Sequence, residues 1–253
     1  MIQEEIYIKS TIDNTMQPSL LYRADTTVEG KRPLLVGLHT WSHDRYNQIG
    51  NMLPYAEKYN FHLLLPEFRG SNLSTNPICK EACGSLLAKQ DIKDAIDYCL
   101  AEGFADQDNI FILGLSGGGH MTLMMAGFCP EYFKAAGAFV PITNLEKWTE
   151  QNAGYRKHVL ACCGDDKEEM LKRSPINYIE NIAKCNVKIF HGKHDPVVPM
   201  SHSFTFYEEM LRRYPEAKVY LDIFDGGHEV DMDQAMYWFM SQSGAVTKTE
   251  VTG

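Results

Sequence analysis

Asn109-Ile110-Phe111-Ile112-Leu113-Gly114-Leu115-Ser116-Gly117-Gly118 is an apolar run that stops at a serine set among glycines. The residues that follow, His120 to Phe128, read as a helix. Strand, sharp turn and helix in that order are the context of a nucleophile elbow. A serine on so tight a turn has a strained backbone. Side chains beside it would collide with strand or helix, so glycine stands there. The turn lifts the hydroxyl clear of the sheet and aims the first helix amides at whatever the hydroxyl attacks. A Gly-rich turn of this kind can also bury a structural serine or cradle a phosphate. The phosphate reading lacks its companions: no Gly-Lys-Ser/Thr follows, and no Gly-x-Gly-x-x-Gly with a downstream acid is present.

A serine hydroxyl needs an imidazole to take its proton, and the imidazole needs a carboxylate to fix its tautomer. On this type of fold the order is Ser, then Asp or Glu, then His, each just beyond a strand. Val187-Lys188-Ile189-Phe190-His191 reads as a strand leading to Asp195, and Val219-Tyr220-Leu221-Asp222-Ile223-Phe224 as a strand leading to His228. Singly, Asp195 before Pro196 could be a turn aspartate and His228 a loop histidine. Together, in order and behind strands, Ser116, Asp195 and His228 form a candidate triad. Asp165 and Asp166 lie in a polar connection, Asp222 inside a strand, and Asp225 too close to the histidine to reach its far ring nitrogen. The histidines near Asp44 and Asp195 match no metal-ligand spacing, so no metal is expected. His39 reads as a structural histidine and His194 as a solvated one.

Pro33-Leu34-Leu35-Val36-Gly37-Leu38 is another buried-strand signal, ending in His39-Thr40-Trp41. The N–H of Gly117 and that of Trp41, with Thr40 as the alternative, are the candidate oxyanion donors. The Trp41 indole can pack as a wall at the same time.

These residues resemble the α/β-hydrolase superfamily, and within it the catalytic domain of the prolyl oligopeptidase family and the stand-alone esterases related to it. The resemblance is carried by Gly114-Leu115-Ser116-Gly117-Gly118-Gly119-His120, His191 to Pro199, Asp225-Gly226-Gly227-His228, Arg69-Gly70-Ser71 and Arg173 to Tyr178. It runs from about Leu34 to Met240. It implies a mostly parallel sheet of about eight strands with helices on both faces, a small helical cap and an acyl-enzyme mechanism. Two features depart from the family. Many relatives carry His-Gly-Gly where this chain has His39-Thr40-Trp41, and the family's peptidases carry a β-propeller before the catalytic domain, which is not expected in the roughly thirty residues that precede Leu34 here.

The 253 residues, 44% of them hydrophobic, suit one α/β domain over residues 1–253. A net charge of −9 argues against nucleic-acid and anionic-membrane partners and favours neutral or cationic substrates; the candidate triad makes a small-molecule ester the expected one. No apolar stretch is long enough to span a bilayer. The first residues carry no leader-like pattern, which points to a cytoplasmic protein, or to a secreted one whose leader has been removed. Seven cysteines, an odd number, suit a reducing compartment, although Cys79 and Cys83 could pair after export.

Two early strands, Ile2 to Lys9 and Ser19 to Arg23, read as antiparallel edge strands. Alternating strands and helices then predict a parallel sheet covered on both faces. Residues 141–182 read as a cap-like insertion, from which Trp148 is expected to line the substrate pocket, with a place in the core of the cap as the alternative reading. The tail after Ser241 is polar and expected to fray. The expected activity is carboxylic ester hydrolysis without a cofactor, with acylated carbohydrates as one substrate class that the resemblance suggests. A serine peptidase acting on small peptides and a catalytically silent binding protein are the alternatives. Oligomeric state is left open.

Overall fold

The computed structural model describes residues 1–24 and 30–243; the tail from residue 244 onward lies outside the described residues. Its strands are β1 (Ile2–Lys9), β2 (Met16–Arg23), β3 (Arg32–Leu38), β4 (His62–Pro66), β5 (Ala105–Leu115), β6 (Ala135–Phe139), β7 (Val187–Gly192) and β8 (Val219–Phe224). They form one eight-stranded sheet in the order β1-β2-β4-β3-β5-β6-β7-β8. The β1–β2 and β2–β4 pairs are antiparallel and the rest are parallel. Thus β1 alone of the first two strands is an edge, because β2 is flanked by β4.

The strands read as continuous apolar runs because both faces are covered. In β3, Leu34, Val36 and Leu38 join one core cluster while Leu35 joins the other, the two-residue alternation of a pleated strand. The first face is covered by α2 (Leu86–Ala101), α3 (Gly117–Phe128), α7 (Ile179–Ile182) and α8 (Ser201–Arg213). The second face is covered by α1 (Ile49–Tyr59) and α9 (Met232–Gln242). No helix among the described residues is long and apolar enough to cross a membrane.

Two boundaries at the elbow differ from the sequence reading for physical reasons. Strand β5 begins at Ala105 rather than Asn109, because Ala105 pairs with Arg32 across a register shift that the polar Asp106 and Asp108 conceal. Helix α3 begins at Gly117 rather than His120: three glycines are poor helix formers, but the elbow requires small residues there.

The stretch 141–182 divides. Helices α4 (Leu145–Gln151), α5 (Ala153–Cys163) and α6 (Lys167–Lys172) bury Leu145, Trp148, Val159, Cys162, Cys163 and Met170 in a third cluster together with Trp41, Cys79 and Cys83. Helix α7 instead sends Ile179 and Ile182 into the main core. All seven cysteines are free thiols. Cys79 and Cys83 face the α5 thiols rather than each other: the Cys83 thiol contacts those of Cys162 and Cys163, and Cys79 contacts Cys162.

Candidate active site

Ser116 sits at the turn between β5 and α3 with φ 60° and ψ −115°, a positive-φ backbone conformation that a non-glycine residue adopts only when its surroundings impose it. Its N–H donates to the carbonyl of Phe139 at 2.9 Å, which ties the elbow to the end of β6. Gly114 and Gly118 are pressed together: a Cβ on Gly114 would lie 2.3 Å from the Gly118 backbone. This is the steric reason for the glycines around the serine. Next door, Val140 also has a positive φ of 40°, a strained position that nothing in the sequence signals.

The Asp195 carboxylate is fully buried, and its Oδ2 lies 2.7 Å from Nδ1 of His228, which donates to it. Its Oδ1 accepts the N–H groups of Val197 and Val198 at 2.7 and 2.9 Å. Burial raises the carboxyl pKa, but the bonds from His228 and the two amides outweigh that, so the group stays below its ordinary value and ionised. The loops that carry the two residues interlock, since a Cβ on Gly192 would meet the Gly227 carbonyl at 2.0 Å. The bond to Asp195 leaves Nε2 as the free ring nitrogen, and no hydrogen bond joins it to Ser116 among the described residues. Such bonds commonly tighten only when substrate is present.

Between Trp41 and Thr40 the structure discriminates. The Thr40 N–H is taken by Asn47 Oδ1 at 3.1 Å, whereas the Trp41 N–H has no acceptor among the described residues. A Cβ on Gly117 would stand 2.5 Å from the Trp41 nitrogen, so the two backbones touch. As the first residue of α3, Gly117 also presents an N–H with no intrahelical acceptor. The two amides can therefore converge on one oxygen. We expect Gly117→Ala to push the Trp41 loop away and lower kcat on the order of a hundredfold, with KM changed far less. Steady-state kinetics on a chromogenic anilide or ester, beside a thermal melt to confirm folding, checks this.

Trp148 corrects the sequence expectation. It is 0% exposed and lines no open pocket. Its indole N–H donates to the Val197 carbonyl at 3.3 Å, and its ring packs edge-on against Trp41 at 4.9 Å. A tryptophan on a short helix can face either way; here α4 turns it inward, where it braces the acid loop against the Trp41 loop. Asn152 donates to the same carbonyl at 3.0 Å.

Three further groups hold the site; each lies in a segment that carries the family resemblance, but its role comes from contacts with distant residues. His191, fully buried, donates from Nε2 to the Val198 carbonyl at 3.0 Å and accepts from the Ser203 hydroxyl at 2.6 Å, which fixes its tautomer. Arg69 pairs with Asp91, Asp13 and Glu81 and anchors the 67–85 loop. His120, one helical turn beyond the serine, donates to the Arg173 carbonyl at 2.7 Å. His39 is buried and stacked on Phe68, its ring between the Thr40 and Glu67 carbonyls. His194 is exposed and meets Asp225 at 3.0 Å. Cavities of about 610 Å³ lie against both flanking loops, one lined by Asp225, Glu229 and Val230 and one by Ser42, His43 and Asp44.

A sequence model described as the prolyl oligopeptidase family matches residues 85–242. The chain is 28% identical over 220 residues to an acylamino-acid-releasing enzyme of Arabidopsis thaliana, a match covering 81% of this chain and 28% of that protein. It is 26% identical over 197 residues to the Homo sapiens acylamino-acid-releasing enzyme, covering 72% of this chain and 26% of that one. The matched part is thus well under a third of these relatives' length. Among solved structures, the acylaminoacyl peptidase of Pyrococcus horikoshii superposes with a TM-score of 0.73 at 22% identity, covering 90% of this chain and 37% of that one. A puromycin-hydrolyzing peptidase of Mycobacterium tuberculosis gives 0.80 at 18% identity, covering 96% and 39%. At such identities the likeness is one of fold, and the fold is that of the α/β-hydrolases.

Proposed function

Because this chain belongs to the prolyl oligopeptidase family of serine hydrolases, we propose that it is a peptidase that releases an N-acylated amino acid from short peptides. The 2.7 Å bond between His228 and the buried Asp195, on interlocked loops at the same edge of the parallel sheet as the Ser116 elbow, carries the chemical part of this reading. The substrate class draws its support from the relatives.

Ser116 Oγ attacks the carbonyl while Nε2 of His228 takes the proton. Asp195 keeps the Nδ1–H of His228 in place and stabilises the imidazolium. The N–H groups of Gly117 and Trp41 donate to the developing oxyanion. His228 then gives its proton to the departing amine, and water attacks the acyl-enzyme by the same route. Every step uses groups of this chain and water.

The relatives reverse the order of the sequence readings. Carboxylic ester hydrolysis stood first, because nothing in the chain suggested a pocket for a peptide amino group. Cleavage of an acylated peptide needs no such pocket, since the substrate has no free amino terminus. The triad would still cleave activated esters. Turnover of N-acetyl-alanyl p-nitroanilide, alanyl p-nitroanilide and p-nitrophenyl acetate separates the possibilities. The acylated anilide is expected to exceed the free-amine anilide by about tenfold or more in kcat/KM. Turnover of the ester with neither anilide cleaved would return the protein to the esterase reading.

A further inference from the structure

At the amino end of α2, behind the nucleophile helix, a cavity of about 500 Å³ opens between the protein body and the end of α6. Its lining is dominated by cations: Lys80, Lys89, Lys172 and Arg173. Two carboxylates also line it: Glu81 pairs with Arg69, outside the lining, at 2.6 Å, and Glu169 pairs with the lining Arg173 at 2.7 Å, which leaves the three lysines as the cations without a carboxylate partner among the described residues.

Lys89 is the unusual member. It is 7% exposed and occupies the first turn of α2. Its ammonium lies 5.2 Å from the ring centres of both Phe128 and Tyr178, and no carboxylate or other acceptor bonds it among the described residues. Three effects oppose a cation there: burial, the positive end of the helix dipole, and the neighbouring Arg173. Burial first, then Arg173, pulls the ammonium below the usual lysine pKa. An ordinary helix start places an acid in this turn, and α2 has none. The cap does not neutralise the site either. Ser85 Oγ accepts the Ala88 N–H at 3.1 Å and the Ser85 carbonyl accepts that of Lys89 at 3.1 Å, which leaves the N–H groups of Leu86 and Leu87 as first-turn donors without acceptors among the described residues.

We propose that this cavity binds a phosphate-type oxyanion, held by the Lys89 ammonium and the N–H groups of Leu86 and Leu87. The exposed Lys80 and Lys172 add attraction at the mouth. An anion here links α2 to the end of α6, and so fastens the helices that brace Trp41 and the acid loop. The cavity is separated from the serine by the Gly84–His120–Arg173 contact, where a Cβ on Gly84 would lie 3.0 Å from the His120 ring. Occupancy is therefore a matter of binding and stability, independent of which bond the triad cleaves.

Thermal unfolding and calorimetric titration with orthophosphate, against chloride at matched ionic strength, test the site in the wild type and in Lys89→Met. Phosphate at roughly ten times its Kd multiplies the folded-to-unfolded ratio about tenfold, a rise of ~3–5 °C in Tm for a chain of this size. Phosphate also stabilises proteins by exclusion from their surface, and that part is common to both proteins. The expected result is binding heat in the wild type, and a phosphate increment in Lys89→Met reduced to the exclusion part, with no drop in its basal Tm. Lys80→Gln with Lys172→Gln, both at exposed positions, is expected to weaken phosphate several-fold and serves if Lys89→Met does not fold. Glycerol phosphate in a parallel titration distinguishes a site for phosphorylated metabolites from one for the free ion. An equal phosphate increment in wild type and Lys89→Met, or no phosphate heat in the wild type, would overturn the proposal.

Discussion

Ser116→Ala lowers kcat/KM for N-acetyl-alanyl p-nitroanilide by at least ~10⁴-fold while the protein remains folded. The size of the loss follows from what the hydroxyl does: without it no acyl-enzyme forms, and only binding and the amides of Gly117 and Trp41 remain to assist water. The fold is spared because alanine and serine share the same Cβ. The strain at φ 60° is thus unchanged by the substitution, and the backbone bond from residue 116 to the Phe139 carbonyl is kept. Steady-state rates with circular dichroism of the same preparation check both halves. Activity within tenfold of wild type would remove Ser116 from the mechanism.

Asp195→Asn is expected to cost about as much, roughly 10⁴-fold in kcat, with KM nearly unchanged. The carboxylate accepts a hydrogen bond from Nδ1 of His228, and that bond makes Nε2 the basic nitrogen. An amide nitrogen in its place would donate to Nδ1 and shift the ring proton to Nε2, where it could no longer accept the serine proton. The remaining oxygen could keep the bonds from Val197 and Val198, so the loop is expected to hold its shape. Asp195 also contributes to stability. Its folded pKa is below the unfolded one, so its contribution is complete above the ordinary carboxylate range and fades as pH falls through the lowered value. The acid limb of a stability profile for the asparagine variant should therefore be shallower than that of the wild type.

The parts of the site that could be read in the sequence are those whose geometry is local. Ser116 lies in a strand–turn–helix whose glycines have a steric reason, and Asp195 and His228 each follow an apolar strand, so their common edge of the sheet follows from the parallel arrangement. What escaped the sequence depends on contacts between distant segments. Trp148, in an insertion after a strand, reads either as a pocket wall or as part of the cap core, and the side that α4 presents inward decides for the core, against Trp41 and Val197. The choice of Trp41 over Thr40 rests on Asn47, seven residues further on, which occupies the competing amide. The cluster of Cys79 and Cys83 with Cys162 and Cys163 joins segments about eighty residues apart, so the thiols read as unrelated pairs. The start of β5 was hidden by Asp106 and Asp108, whose polarity reads as loop although Ala105 is already paired.

The central claim is that the environment of Ser116 makes its hydroxyl a nucleophile. Reaction of the native protein with a fluorophosphonate, followed by intact-mass and peptide-mapping mass spectrometry, addresses it without assuming any substrate. The account predicts one adduct per chain, located on Ser116, not formed when the protein is denatured before the reaction, and strongly slowed in Asp195→Asn. An unlabelled native protein, or a label on another residue that persists in Ser116→Ala, would contradict it.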